Sequence, residues 1–298
     1  MMRAERGVAI IMAIFIVALA ASVAAAISWQ QQLRVRAAER LGDLVQAQII
    51  ASAALSWAQY VLYADQQAGQ IDHAQEEWAQ TDIPLPAEKG EVRLSIADQQ
   101  GLFNLNNLVN ITDVQIFQRL LQTLGLPADL ANAAADWVDD DDQARFPGGA
   151  EDMDYLSATP AYRAANQPYT EVGNLLAVKG FDKNIVEKLR PYVVALPLPT
   201  AVNLNTAPPQ LLVALFQDLS LAQATAFKRD HKNKAFSSES DFTLALRKVA
   251  YPGVRLGVLS NYFLARAEVQ MGAVRTKYNA LIARRESHRP KLLWQAPQ

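Results

Sequence analysis

"RGVAIIMAIFIVALAASVAAAISWQQQLRVR", Arg6 to Arg36, decides the fold, because its uncharged run is longer than a soluble helix needs. From Val8 to Ile27 every residue is apolar or small, and Ser22 is the only hydroxyl. Twenty residues at about 1.5 Å each span about 30 Å, the thickness of a bilayer's hydrocarbon core. A secretory signal peptide has a shorter apolar core, roughly 7–15 residues, and the sequence changes character after its cleavage site. Here the character does not break. No proline precedes Pro84, and Gly42 is the only glycine between Val8 and Gln67. Leu33, Ala37, Leu41, Leu44, Val45, Ile49, Leu55 and Leu62 recur at three-to-four spacing among Arg34, Arg36, Glu39 and Arg40. The spacing predicts one helix over 8–64, apolar on all sides in its first third and amphipathic beyond. Arg3 and Arg6 before the span favour a cytoplasmic N-terminus and an external bulk, although Arg34 and Arg36 beyond it weaken the bias. The alternative on this stretch alone is an ordinary single-pass anchor.

The 298 residues are enough for one large domain or two modest ones. Net charge is −2, so nothing global recruits nucleic acid or an acidic membrane face. There is no cysteine, which excludes disulfides, thiolate metal sites and cysteine nucleophiles. His73, His231 and His288 lie far apart, a poor basis for a multi-histidine centre or a histidine-based hydrolase.

Residues 65–90 are polar and hold Pro84 and Pro86, a surface loop. "EVRLSIADQQG" (91–101) then alternates Val92, Leu94 and Ile96 against Arg93 and Ser95, a half-buried strand. Near the chain's end Phe263, Ala265, Ala267, Val269 and Met271 share one strand face. Val274, Thr276, Tyr278, Ala280 and Ile282 share another, with Gly272 as the turn between. The expected class is α+β: a long N-terminal helix on a small antiparallel sheet whose strands come from 65–100 and 255–298, with an α-helical insert at 101–254.

The insert repeats itself. "GLFNLNNLVN" (101–110) is echoed by "TAVNLNTAPP" (200–209), and each precedes a helical pattern. "YTEVGNLLAVKGFDKNIVEKLRPYV" (169–193) and "FSSESDFTLALRK" (236–248) form a second pair: an aromatic, a hydroxyl cap at Thr170 or Ser237, then a Leu/Phe helix. Two related modules follow, about 101–199 and 200–254; the sequence leaves open whether 203–250 joins the insert's lobe or lies on the sheet. The short-helix grammar is that of SAM-like or helix-hairpin-helix units. In DNA-binding hairpins turn amides and basic residues meet phosphates. Lys179, Lys183, Lys188 and Arg190 are present, but Asp182 and Glu187 intervene, which favours packing over DNA binding.

"DWVDDDDQARFPGGAEDMDY" holds seven Asp and one Glu between Asp136 and Asp154, against a single Arg145. Such self-repulsion needs a counter-charge or free solvation. Calcium takes six to eight hard oxygens in tolerant geometry, which this loop can supply. It is not an EF-hand: Asp140, Asp142 and Glu151 fall at matching offsets, but Ala144 stands at a ligand position and Arg145 where glycine is required.

The short charged leader ending in glycine, followed by a retained apolar helix, resembles the class 3 signal of type IV pilins and pseudopilins. The resemblance implies cleavage by prepilin peptidase between Gly7 and Val8, with Val8 then N-methylated. Most members carry Glu at the fifth mature position; here it is Met12, an absence characteristic of the minor pseudopilin K family of type II secretion systems. That family's signature is also matched by Trp137-Val138-Asp139-Asp140-Asp141, Gly149-Ala150-Glu151-Asp152, Pro160-Ala161-Tyr162, Asn166-Gln167-Pro168, Thr170-Glu171 and "VNLNTAPPQLL" (202–212). The resemblance covers nearly the whole chain and implies a pilin-like fold, no catalysis and structural calcium drawn from Asp136, Asp139, Asp141, Glu151, Asp152 and Asp154. It also implies a single-pass inner-membrane protein with a periplasmic bulk that initiates and caps a pseudopilus. The implied partners are the minor pseudopilins I and J and prepilin peptidase, with the major pseudopilin and secreted cargo as further candidates. Two rival readings are a minor pilin of a type IV pilus or DNA-uptake system and a membrane-anchored metal-dependent enzyme.

Overall fold

A computed structural model describes residues 4–69, 71–80, 83–85, 90–284 and 289–297. Met1 to Arg3 of the leader and His288 lie outside the described residues. The chain begins with one continuous helix, α1 (Ala4–Ala68). From Val8 onward it contains a span long and apolar enough to cross a membrane, with none of that window buried in the protein.

The far half of α1 packs on a five-stranded antiparallel sheet. Its strands are β1 (Ile83–Leu85), β2 (Glu91–Asp98), β7 (Tyr262–Met271), β8 (Val274–Ala283) and β9 (Lys291–Pro297), in that spatial order. Between β2 and β7 come four two-residue strands, β3 (Phe103–Asn104), β4 (Val193–Val194), β5 (Val202–Asn203) and β6 (Leu256–Gly257). The helices there are α2 (Ile111–Thr123), α3 (Leu130–Asp136), α4 (Asp152–Leu156), α5 (Lys183–Leu189), α6 (Pro209–Leu215), α7 (Leu221–Asp230) and α8 (Glu239–Leu246). The class is α+β.

Alternation sets the sheet's inner face: Val92, Leu94, Ile96, Phe263, Ala265, Ala267, Val269, Met271, Ala280 and Ile282 meet α1. Gly272 makes the β7–β8 turn at φ +53, where a side chain would be strained. The helix face matches the expected one at Leu55 and Leu62 and differs from it elsewhere. Ala47, Ala51, Ala54, Ala58 and Leu62 form the buried row, spaced four, three, four and four, with Leu55 beside them. Small side chains let the helix lie close to the sheet. Leu33, Leu41, Leu44, Val45 and Ile49 point to the outside instead. The strand face of β8 also differs, because Leu281 and Ala283 on its other side are buried with Leu196 and Tyr262.

The insert leaves the sheet after β2 and returns at β7, its immediate neighbour, where Asp98 pairs with Phe263. Both modules contribute to one core, from Phe103, Phe117 and Leu189 in the first to Leu204, Phe216 and Phe242 in the second. α2 packs against α6.

The repeated Asn-Leu-Asn stretches do equivalent work. Phe103 and Asn104 pair in parallel with β4, as Val202 and Asn203 do with β6. Asn104 Oδ1 accepts from its own i+2 amide, Asn106, and Asn203 Oδ1 from Asn205. Asn106 then accepts from Tyr169 N at 2.7 Å and donates to Tyr169 O at 2.8 Å. Asn205 treats Phe236 identically, at 3.0 Å for both bonds. Each module is thus closed by an asparagine holding an aromatic residue's backbone from both sides. Caps fall one residue later than expected. Ser238 caps α8, accepting from Asp241 N, and Glu171 rather than Thr170 precedes the short 3₁₀ turn Val172–Ala177.

Candidate metal centre

α3 ends in the acidic loop at Asp136, which is fully buried. Its Oδ2 accepts from the amides of Arg145 at 3.0 Å and Ala150 at 2.9 Å, and its Oδ1 accepts from the Arg145 guanidinium at 2.6 Å. The same guanidinium bonds Asp139. Asn132 Nδ2 donates to Pro147 O at 2.7 Å. Gly149 lies so close that a Cβ would stand 2.2 Å from Asp136 Oδ2 and 2.3 Å from Arg145 O, so no side chain fits. Asp136 therefore folds the loop back on α3 and has spent its oxygens doing so.

The folding brings Asp139, Asp141 and Glu151 together, with one carboxylate oxygen of each within 4.8 Å of the others. Asp139 Oδ1 and Glu151 Oε1 are buried and accept no hydrogen bond among the described residues. Buried acceptors are ordinarily paired, so two unpaired carboxylate oxygens in one cluster mark an unmet demand for positive charge. Burial pushes Glu151 up to about 7, with the charges of Asp136, Asp139, Asp141 and Asp142 adding to the rise. Burial likewise raises Asp139, against the opposing pull of Arg145. Hard anionic oxygens crowded in one loop fit a calcium ion.

The other residues expected to ligate are occupied. Asp152 binds Arg163 at 2.7 Å and accepts from Ala164 N at 3.0 Å. Asp154 binds Lys179 at 2.7 Å and accepts from Glu151 N at 3.2 Å. These two carboxylates pin the loop's far arm. Trp137 supports it below, edge-on to Tyr155 at 5.2 Å, and Tyr162 donates to Ala177 O at 2.9 Å. Of the basic residues weighed for DNA contact, Lys179 is paired with Asp154 and Arg190 with Glu187.

A second cluster was not anticipated from the sequence. Asp65 at the end of α1, Asp72 and Glu76 converge, and Arg284 binds the first two. The guanidinium binds Asp72 at 2.5 Å and Asp65 at 2.6 Å, donates to Ser260 O at 2.9 Å, and lies 4.7 Å over the Phe263 ring. Asn203 extends the network, donating to Asp72 O, Asp98 Oδ2 and Ser260 Oγ. This cluster carries its own cation. In the acidic loop Arg145 pairs with Asp139, but Asp139 Oδ1 and Glu151 Oε1 stay unpaired among the described residues, and that difference singles it out as the metal candidate.

Two family models described as "Type II secretion system (T2SS), protein K" match residues 101–198 and 202–258. The chain is 34% identical to the type II secretion system protein K of Pseudomonas aeruginosa, covering 91% of this chain and 86% of that one. To the protein of the same name from Klebsiella pneumoniae it is 33% identical, over 93% and 92%. Among solved structures it resembles a chain of the GspK-GspI-GspJ complex of the enterotoxigenic Escherichia coli type 2 secretion system. The TM-score is 0.75 at 24% identity, over 89% of this chain and 99% of that one.

Proposed function

The chain belongs to the type II secretion system protein K family and is a minor pseudopilin of that system; from this premise we propose that it sits at the tip of the pseudopilus and caps it. The observation that carries the tip placement is Met12. A subunit with no carboxylate at the fifth position from Val8 cannot offer an ion pair to the N-terminal amine of a subunit ahead of it. The insert between β2 and β7 adds bulk that would obstruct a further subunit. The pilin-like reading of the sheet domain, and the SAM-like or helix-hairpin-helix reading of the insert, belong to this proposal.

Within it, prepilin peptidase cuts between Gly7 and Val8, and Val8 is N-methylated. The span from Val8 anchors the chain in the inner membrane with its bulk in the periplasm. The protein carries out no chemistry of its own. Minor pseudopilins I and J are its partners, as in the solved complex the fold resembles. Two surfaces support this: the outward apolar row Leu33, Leu41, Leu44, Val45 and Ile49 of α1, and the open edge of β9, where Leu292, Leu293 and Trp294 are all exposed. A calcium ion held by Asp139, Asp141 and Glu151 orders the acidic loop by supplying the charge its oxygens lack.

The absence of cysteine makes the test direct, since Ser157→Cys introduces a single exposed thiol on the insert. Gold-labelled pseudopili should carry the label at one end in electron micrographs. Label spaced along the filament would overturn the tip assignment.

A further inference from the structure

The closing asparagines relate the two modules position by position. In the first, the acidic loop runs between α3 and Tyr169; in the second, the corresponding segment between α7 and Phe236 is only His231 to Ala235. Its charge is reversed. A cavity of about 350 Å³ opens there, and Lys228, Lys232, Lys234 and His231 line it. None of its described lining residues bears a carboxylate. The nearest acidic residue in sequence, Asp230, is held by Arg229 at 3.0 Å.

We propose that this cavity is a binding site for a soluble phosphate monoester, the anionic counterpart of the acidic loop. Lys228 forms the floor. Its Nζ donates to Asn205 O at 2.8 Å and lies 3.4 Å from Leu204 O, so backbone carbonyls hold the ammonium in place. The module's closing asparagine therefore positions the lysine as well as Phe236. Burial lowers Lys228 to about 8, so an anion beside it would relieve its desolvation. Lys234 lies 4.8 Å over the Phe236 ring, and Gln75 ties the Lys232 carbonyl to the segment following α1.

The class of anion follows from the lining. Lys228, Lys232 and Lys234 act as point charges, and three of them together suit a dianionic phosphate better than a singly charged carboxylate. The cavity exceeds the needs of a bare phosphate, and Phe227, Phe236 and Phe242 offer an apolar wall for the rest of an ester. A lipid phosphate is out of reach. Gln75 lies beside Trp57 to Ala68 of α1, which at 1.5 Å per residue stand about 45–60 Å along the helix from Ile27 at the end of the apolar span.

Calorimetric titration of the full-length protein in detergent with phenyl phosphate, inorganic phosphate and benzoate tests this. Phenyl phosphate should bind more tightly than inorganic phosphate, and benzoate least. Binding should weaken as salt rises and take up a proton near pH 8 as Lys228 is re-charged. Lys232 and Lys234 are exposed, so a Lys232→Ala/Lys234→Ala variant should keep its melting temperature and lose about tenfold or more in affinity. Lys228→Met should abolish binding; should that variant fail to fold, the exposed pair still decides. No heat with about 1 mM phenyl phosphate, undiminished binding by the double variant, or benzoate binding as tightly would each overturn the assignment.

Discussion

Arg284 and Asp72 meet at 2.5 Å although both are almost wholly removed from solvent. Their contact joins the end of the sheet to the segment that follows α1, and Asp65 brings the helix itself into the same pair. Removing one partner of a buried pair strands the other charge, at about 3–5 kcal/mol. Arg284→Met should therefore destabilise the protein by that order in urea denaturation. Combining it with Asp72→Asn should recover part of the loss, because the stranded charge is then gone. Simple additivity of the two changes would count against the network.

For the acidic loop, calcium at a hundredfold excess over its dissociation constant should stabilise the folded protein by about 2.7 kcal/mol, a shift of several degrees in melting temperature. Asp139→Ala and Glu151→Gln should remove most of that shift. Asp152→Asn should leave most of it, since Asp152 is spent on Arg163. Equal losses in all three variants would mean the ion is held elsewhere in the loop.

The acidic loop and the Arg284 cluster should both respond to pH, with the same sign. Glu151 is raised to about 7 and Asp72 to about 6, so each binds its proton more readily folded than unfolded. Their contribution to stability is present at low pH and is lost as pH climbs from the ordinary carboxylate range through those values. Calcium requires the ionised carboxylate, so its stabilising shift should run the other way and shrink as pH falls below about 7. Calorimetric scans at pH 6 and pH 8, with calcium and with chelator, would check both directions.

Asn106 should matter more than its counterpart Asn205. The Asn106 side chain is buried and meets Tyr169 N, Tyr169 O and Leu196 O, whereas that of half-buried Asn205 meets the two Phe236 groups alone among the described residues. Alanine at 106 should cost about 2–4 kcal/mol, and at 205 about 1–2, because buried backbone groups are left unpaired. Chemical denaturation of the two variants compares them directly.

Local patterns made much of this legible in the sequence. Val92, Leu94 and Ile96, and the row from Phe263 to Met271, announce their strands by alternation alone. The unbroken run from Val8 announces the helix, and the paired Asn-Leu-Asn stretches announce the duplication. What escaped depends on partners distant in sequence. Nothing near Arg284 indicates Asp72 or Asp65. The buried row of α1 is alanine, which carries too little hydrophobic signal to compete with Leu41 or Ile49. β9 has Leu292, Leu293 and Trp294 in succession, so no period marks it as a strand. In the acidic loop, composition identified the pool of carboxylates. Only the fold distinguishes Asp136, Asp152 and Asp154, which answer to Arg145, Arg163 and Lys179, from the three that converge, of which Asp139 shares Arg145 yet keeps Oδ1 unpaired among the described residues.

The mouth of the insert, where Asp98 faces Phe263 on adjoining strands, has a mechanical consequence. Traction on the lobe enters the sheet at one end of two neighbours and would unzip their rungs singly, the weakest way to load such a ladder. Thrust from beneath presses Tyr262 and Leu281 onto Leu196 and spreads the load across a packed seam. The joint is better suited to a plunger than to a tether.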